Sequence, residues 1–119
     1  MELREALLRN GKLTYTQCDL ICSYFLPETY SAKQMFVEQG KISKLVGFIQ
    51  SGMFRSFVYD EDGNDITTKF YLPGEILMSF YSFNNQKPAR ENIIALEDSE
   101  LAMATFEKMK QLSKELPTW

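Results

Sequence analysis

The chain has 119 residues, 45% of them hydrophobic and 24% charged, and its formal net charge is −3 at pH 7. This length and composition are typical of one soluble globular domain and exclude an intrinsically disordered chain. Because acidic residues outnumber Lys and Arg, the sequence has no basic surplus to neutralise a nucleic-acid backbone, and we do not expect this chain itself to contact DNA.

Two helices are predicted ahead of the first strand. Three leucines at helical spacing mark the first one, namely Leu3, Leu7 and Leu8. Gly11 stands where a glycine ends a helix, and the second helix is predicted to begin with Thr14 or Thr16 as its N-cap and to end before Pro27. No apolar run is long enough for a signal peptide or a membrane span, so we expect a cytoplasmic protein without a membrane partner.

The two cysteines of the chain, Cys18 and Cys22, lie four residues apart in the second predicted helix. They share a helix face, but helix geometry and a reducing cytosol disfavour a disulfide between them. We predict two small buried apolar side chains. An iron–sulfur cluster needs about four thiolates, so this pair does not support one.

From residue 28 to residue 104 the chain is predicted to form short strands separated by glycine-containing turns. The predicted strands cover residues 29–31, 35–37, 45–49, 53–59, 65–72, 92–96 and 100–104. In the strand 53–59, Phe54, Ser56 and Val58 lie on one face, and Met53, Arg55, Phe57 and Tyr59 on the other. The dipeptide Asp62-Gly63 predicts a hairpin. This pattern indicates a mainly β fold with flanking helices, a jelly-roll barrel of the double-stranded β-helix type.

A last helix is predicted after the barrel, with Thr105 as its N-cap. Its apolar face consists of Phe106, Met109, Leu112 and Leu116. We therefore predict a single domain with N-terminal helices in residues 1–26, a β-barrel in residues 28–104 and a C-terminal helix in residues 105–116.

The stretch from Phe70 to Ala95 carries the strongest functional pattern. A strand that stops at Pro73-Gly74-Glu75 and leads into a short apolar turn is predicted to present free backbone N–H groups at a helix start. Such groups form a favourable seat for an anion.

This stretch and its flanks resemble the cyclic nucleotide-binding domain of Crp/Fnr transcription regulators. The motifs that carry the resemblance lie at residues 37–40, 48–55, 60–63, 70–95 and 95–101 and in the closing helix. The resemblance implies a non-catalytic domain that binds a small effector, and a parent protein that forms a homodimer and contacts DNA through a C-terminal helix-turn-helix domain. Neither the long dimer helix nor that domain occurs in this sequence, so we expect a fragment of a longer regulator.

The resemblance also implies a ligand site. Gly74 would give its amide to the cyclic phosphate and Glu75 its carboxylate to the ribose 2′-hydroxyl. An arginine that pairs with the phosphate is implied six residues before Ala95, which is the position of Ala89, whereas Arg90 lies five residues before it. The predicted ligand-binding set is Gly74, Glu75, Ile76, Leu77, Ala89, Arg90 and Glu91.

Several departures count against cyclic AMP bound in the usual mode. A one-residue shift in a strand turns Arg90 to the opposite face, and the carboxylate of Glu91 would repel a phosphate. Gly74 and Arg90 are 16 residues apart, several more than in the family's nucleotide-binding members, and the rings in the insertion, Phe80, Tyr81 and Phe83, could occupy the pocket. No cofactor is therefore certain, and the effector is either a cyclic nucleotide or another small molecule.

Two further predictions complete the sequence-based interpretation. Arg55 is predicted to form a surface ion pair rather than to reach the pocket. The alternative function is a cupin-like small-molecule-binding barrel without a regulatory role. The chain has no histidine, which excludes the metal-binding cupin enzymes and His-dependent nucleophilic catalysis. We therefore predict no catalytic residues and no metal site.

Overall fold

The computed structural model describes residues 2–117. In that range the helices are α1 (Leu3–Arg9), α2 (Tyr15–Ser23), α3 (Phe80–Asn85) and α4 (Phe106–Glu115). The strands are β1 (Leu26–Tyr30), β2 (Met35–Val37), β3 (Leu45–Ser51), β4 (Phe54–Tyr59), β5 (Asp65–Tyr71), β6 (Ile76–Leu77), β7 (Asn92–Ala95) and β8 (Ser99–Thr105).

The strands form two antiparallel sheets that enclose one core. Sheet A has the strand order β1-β8-β3-β6, and sheet B has the order β2-β7-β4-β5. The inner core takes buried side chains from both sheets, among them Tyr30, Ile49, Leu77, Leu101, Phe36, Phe54, Tyr71, Ile93 and Ala95. This architecture confirms the predicted mainly β, jelly-roll-like fold with flanking helices.

A second apolar core joins the helices to the outer side of sheet A. It contains the sheet residues Val46, Phe48, Ala102 and Ala104 and the helical residues Leu3, Ile21, Phe83 and Leu112. Sheet A is thus buried on both faces, which explains the nearly continuous burial along β3. None of the helices in residues 2–117 is both long and apolar enough to span a membrane.

The predicted helix caps are confirmed. The Thr14 side chain accepts a hydrogen bond from the Gln17 amide in a capping box, and the Thr105 side chain accepts one from the Lys108 amide. The second helix is shorter than the predicted helical region, which extended to residue 26, because α2 ends at Ser23 and strand β1 already begins at Leu26. Pro27 is tolerated there because β1 is an edge strand of sheet A, where a missing N–H breaks no ladder.

The hairpin prediction agrees with the structure, whereas the cysteine prediction holds only for Cys18, because Cys18 is buried and Cys22 is only partly buried. Cys18 and Cys22 are both free thiols, and burial raises the pKa of the Cys22 thiol above its ordinary value. At the hairpin tip, the Asp60 carboxylate accepts hydrogen bonds from the amides of Asp62 and Asn64 at 2.9 Å. Gly63 supplies the positive φ, 82°, that this turn requires.

Candidate functional site

Gly74 and Glu75 form the turn that connects β5 to β6. The Gly74 amide donates to the Ile49 carbonyl at 2.8 Å, and the Glu75 amide donates to the Leu72 carbonyl at 3.1 Å. The Glu75 carboxylate accepts a hydrogen bond from the Leu72 amide at 2.7 Å. These polar groups stabilise the turn itself, so the prediction that Gly74 presents a free amide is wrong.

Contrary to the prediction, the Gly74-Glu75 turn does not lead directly into a helix. Strand β6, formed by Ile76 and Leu77, separates the Gly74-Glu75 turn from α3, which begins at Phe80 with Ser79 as its N-cap. Leu77 is buried in the inner core, whereas Ile76 is exposed. The two residues directly before the helix are therefore Met78 and Ser79.

Ser79, the residue directly before α3, has a side chain without a polar partner among the described residues. Its side chain is fully buried, and its hydroxyl has no hydrogen-bond partner within residues 2–117. A serine here cannot supply the charged contact to a ribose hydroxyl that the resemblance implies for the cassette glutamate.

The displaced helix start also removes most of the apparent insertion. Met78 and Arg90 are 12 residues apart, four fewer than Gly74 and Arg90.

Contrary to the prediction, the aromatic rings of this segment do not fill the barrel. Phe80 is exposed, and Phe83 packs against Phe106 in the helix–sheet core with ring centroids 5.4 Å apart. The rings inside the barrel include those of Tyr30, Phe36 and Phe54, whose centroids lie 5.6 to 6.2 Å apart, and that of Tyr71.

Ala89, Arg90 and Glu91 alternate between the inside and the outside of the barrel. Ala89 is buried in the inner core, and its backbone pairs with Gly40 and Lys41. Arg90 is exposed, and its guanidinium carbon lies 3.7 Å from the centroid of the Tyr81 ring. The one-residue shift relative to Ala89 predicts this outward direction of the Arg90 side chain. Arg90 therefore does not take the place of the arginine that the resemblance implies at the position of Ala89. A different cation, Lys69, pairs with Ser56 across the β4–β5 hairpin and lies 4.7 Å from the centroid of the Tyr71 ring.

The inner face of the β4–β5 hairpin carries hydroxyl groups. The hydroxyls of Ser56 and Thr68 lie 2.7 Å apart, and Tyr71 is buried beside them. Burial is the main cause that raises the pKa of the Tyr71 phenol; a hydrogen bond with Ser56 opposes it, and the carboxylates of Glu91 and Glu75 add to it.

Arg55 forms the surface ion pair that was predicted. Its guanidinium donates to both carboxylate oxygens of Asp65, at 2.7 and 2.6 Å, and to the Thr67 hydroxyl at 3.0 Å. The same guanidinium lies 4.3 Å from the Phe57 ring centroid. The pair lowers the pKa of the Asp65 carboxyl. Arg55 is thus committed to the outer face of sheet B and does not reach the interior.

Two of the clefts of this domain lie away from the Gly74-Glu75 turn. One, of about 270 Å³, is lined by Tyr24, Leu26, Met103 and their neighbours. The other, of about 310 Å³, is lined by residues 35–38 and 41–45. Val37 and Glu38 of the second cleft belong to the motif at residues 37–40, whereas no motif in the sequence indicated the first cleft. No group of three or more Cys, Asp or Glu side chains that could hold a metal ion occurs between residues 2 and 117.

The comparisons with known proteins identify the domain type. A family model described as the cyclic nucleotide-binding domain matches residues 27–115. The catabolite activator protein of Thermus thermophilus superposes with a TM-score of 0.80 at 26% identity, over 89% of this chain and 49% of that one. This chain therefore spans about half the length of that protein. A search of curated protein sequences gave no match.

Two more distant structures share the fold. A cyclic nucleotide-binding domain from Methylobacillus flagellatus superposes with a TM-score of 0.84 at 15% identity, over 98% of this chain and 66% of that one. The regulatory subunit of a cAMP-independent protein kinase A from Trypanosoma cruzi, bound to guanosine, superposes with a TM-score of 0.76 at 14% identity, over 93% of this chain and 41% of that one. Since the family model covers most of its length, this chain belongs to the cyclic nucleotide-binding domain family.

Proposed function

We propose that this chain is the effector-sensing domain of a Crp/Fnr-type transcription regulator. The family match and the 26% identity to half of a catabolite activator protein support this role. In this proposal the parent protein is a cytoplasmic, non-catalytic homodimer that contacts DNA through a domain outside this sequence. The effector acts by population shift, because it binds one dimer arrangement more tightly than the other.

We infer further that the effector carries no phosphate and that its class is an uncharged nucleoside. The observation that carries this inference is the placement of Ala89 inside the core and of Arg90 against the Tyr81 ring. A phosphate in the barrel would meet the half-buried Glu91 without an arginine to neutralise it. Two like charges at 4 Å repel by about 1 kcal/mol in water and by about 4 kcal/mol at an effective dielectric constant of 20.

The guanosine-bound kinase regulatory subunit supports the nucleoside class. That subunit belongs to a cAMP-independent protein kinase A, has this fold and is bound to guanosine, a nucleoside without a phosphate group. A nucleoside retains the base and the ribose hydroxyls of a cyclic nucleotide but has no charge that needs a cationic partner. That chemistry matches a cassette with Ser79 and Ala89 at its two key positions.

Thermal unfolding in the presence of four compounds tests the effector class. Adenosine and guanosine at millimolar concentration should raise the midpoint temperature of this chain, since a ligand that binds only the folded state stabilises it. Cyclic AMP and cyclic GMP should not. A rise with the cyclic nucleotides alone would overturn the nucleoside proposal.

The coding sequence that follows the codon for Trp119 tests the regulator role. We expect a helix of about twenty residues followed by a basic helix-turn-helix domain. A kinase-type or catalytic domain in that place would contradict a role in transcription, but it would leave the effector class open to the thermal test.

A further inference from the structure

Sheet A continues beyond sheet B at the end where β1 begins. The side chains of Leu26, Glu28 and Tyr30 share one face of β1, because alternate residues of a strand point the same way. Tyr30 belongs to the inner core and its ring contacts that of Phe36 in sheet B. Leu26, in contrast, is 68% exposed, and Glu28 is exposed as well. Sheet B thus covers this face at Tyr30 and leaves it open at Leu26.

The open end of sheet A forms the floor of the cleft of about 270 Å³, which we call the β1 cleft. Leu26 pairs directly with Met103 of β8, and Leu45 of β3 pairs with Thr105. Met103 and Leu45 are only partly buried against the inner core. The floor is therefore one apolar surface that crosses three strands, rather than a single exposed leucine.

The hydroxyl groups at the rim of the β1 cleft already have partners. The Ser23 hydroxyl donates to the Leu20 carbonyl at 2.6 Å. The Thr105 hydroxyl accepts the Lys108 amide at 3.1 Å. These two groups stabilise the end of α2 and the start of α4, so neither is available to select a ligand.

Two charged side chains of the β1 cleft lack an oppositely charged partner within residues 2–117. Glu28 forms no hydrogen bond or ion pair there, and the Lys108 ammonium contacts only the Tyr24 ring, 5.9 Å from its centroid. Of the neighbouring charges, Glu115 hydrogen-bonds with the Tyr24 phenol, and Lys44 lines the other cleft, that of residues 35–38 and 41–45. Glu28 and Lys108 are therefore the charges that a ligand in the β1 cleft would meet.

These two charges stand at opposite ends of the β1 cleft. Glu28 pairs with Leu101, whereas Lys108 follows Thr105, the last residue of β8. The four steps of strand from Leu101 to Thr105 span about 13 Å. A ligand that engages both charges must therefore be extended, with a cationic end at Glu28, an anionic end at Lys108 and an apolar middle.

We propose that the β1 cleft binds a short apolar peptide with free termini, whose ammonium group contacts Glu28 and whose carboxylate contacts Lys108. An extended tripeptide spans about 10 Å, and the flexible side chains of Glu28 and Lys108 bridge the remainder. Its apolar side chains cover Leu26 and Met103, and its two ends form charge-assisted hydrogen bonds. The site lies apart from the Gly74-Glu75 turn, so this inference goes beyond the effector-sensing role and does not depend on the effector class.

Chemical-shift mapping of the ¹⁵N-labelled chain with trileucine tests the location. We expect saturable amide shifts that concentrate at Leu26, Glu28, Met103 and Lys108. Leu26→Asp should abolish these shifts, and this variant should remain folded because Leu26 is an exposed side chain. No binding, shifts concentrated on the β4–β5 hairpin, or an unchanged trileucine affinity in folded Leu26→Asp would overturn the inference.

Blocked peptides test the two charge contacts separately. Glu28→Gln should lower the affinity for trileucine about fivefold, as expected for one exposed ion pair. It should not change the affinity for N-acetyl-trileucine, which has no ammonium group. Lys108→Gln should likewise weaken trileucine but not trileucine amide, which has no carboxylate.

Two matched variants serve as controls for these charge contacts. Glu100→Gln removes an exposed carboxylate from the other face of sheet A, where Glu100 pairs with Thr29. Lys114→Gln removes an exposed ammonium group from the last turn of α4. Neither substitution should change any of the affinities. Equal losses for free and blocked peptides, or no loss for trileucine in Glu28→Gln and Lys108→Gln, would overturn the proposed contacts.

Discussion

The guanidinium carbon of Arg90 lies 3.7 Å from the centroid of the Tyr81 ring, and this contact joins the segment before β7 to helix α3 on the outside of the barrel. A side chain in this position stabilises the fold but does not reach the interior. We therefore predict that the role of Arg90 is separable from the binding of a ligand.

Arg90→Ala should therefore reduce stability without changing affinity. The loss of an exposed cation–π contact predicts a decrease of about 0.5–1 kcal/mol in the free energy of unfolding. Urea denaturation measures that change, and Lys12→Ala on an exposed bend serves as the control. A loss of nucleoside binding in folded Arg90→Ala would show that the arginine does reach the ligand.

Gly52 approaches Ser99 so closely that a side chain cannot be added. A Cβ atom at this position would lie 1.9 Å from the Ser99 Oγ and 2.7 Å from its Cα, and the φ angle of Gly52 is 100°. Gly52→Ala should cost about 3 kcal/mol or more, because both the steric overlap and the backbone strain act against it.

Gly63→Ala separates the two causes. Gly63 also has a positive φ, 82°, but a Cβ atom there would meet nothing within 4 Å, so a cost of about 1 kcal/mol is expected from the backbone alone. Urea denaturation of both variants measures the difference. Equal costs would mean that β8 moves to relieve the contact with Ser99.

Two buried serines of the α3 segment should respond differently to truncation. The Ser82 hydroxyl accepts a hydrogen bond from the Ser43 amide at 2.8 Å and donates one to the Lys87 carbonyl, so Ser82→Ala should cost about 1–3 kcal/mol. Because the Ser79 hydroxyl has no partner within residues 2–117, Ser79→Ala should be neutral or slightly stabilising. Thermal unfolding of the two variants compares them, and a marked loss for Ser79→Ala would reveal a polar partner for that hydroxyl.

The Arg55–Asp65 pair on the outer face of sheet B should make the stability of the fold depend on pH. Hydrogen bonds from Arg55 lower the pKa of the Asp65 carboxyl relative to the unfolded chain. The stabilisation is therefore present above the ordinary carboxyl pKa and is lost as the pH falls through the lowered value. Carbon-13 titration of the carboxyl resonances measures this pKa.

Arg55→Gln provides the variant for this titration. The pKa of Asp65 should rise toward its ordinary value, since the guanidinium is its main stabilising partner. The pKa of Asp60, lowered by hydrogen bonds to the hairpin backbone at Asn64, should not move. An unchanged Asp65 pKa in Arg55→Gln would contradict the pairing in solution.

The parts of the fold that could be predicted from the sequence are those with a local signal. Thr14 and Thr105 cap their helices as the sequence indicates, and Asp60 with Gly63 closes the predicted hairpin. The outward direction of Arg90 follows from counting strand positions. Each of these signals depends on neighbours within a few residues in the chain.

The helix start was misplaced because a long-range contact decides it. Gly74 and Glu75 form a strong local turn, but the pairing of Ile76 with Phe48 and of Leu77 with Gly47 adds a short strand after that turn. A strand of only two residues, such as β6, is too short to show the alternating pattern by which a strand is recognised in a sequence.

A calorimetric comparison of adenosine with 3′,5′-cyclic AMP tests the central claim most directly, because the two compounds share base and sugar and differ in the phosphate. We predict saturable heat with adenosine and no detectable binding of cyclic AMP over the same concentration range. Tighter binding of cyclic AMP than of adenosine would show that this barrel neutralises a phosphate despite Ala89, and would contradict the account.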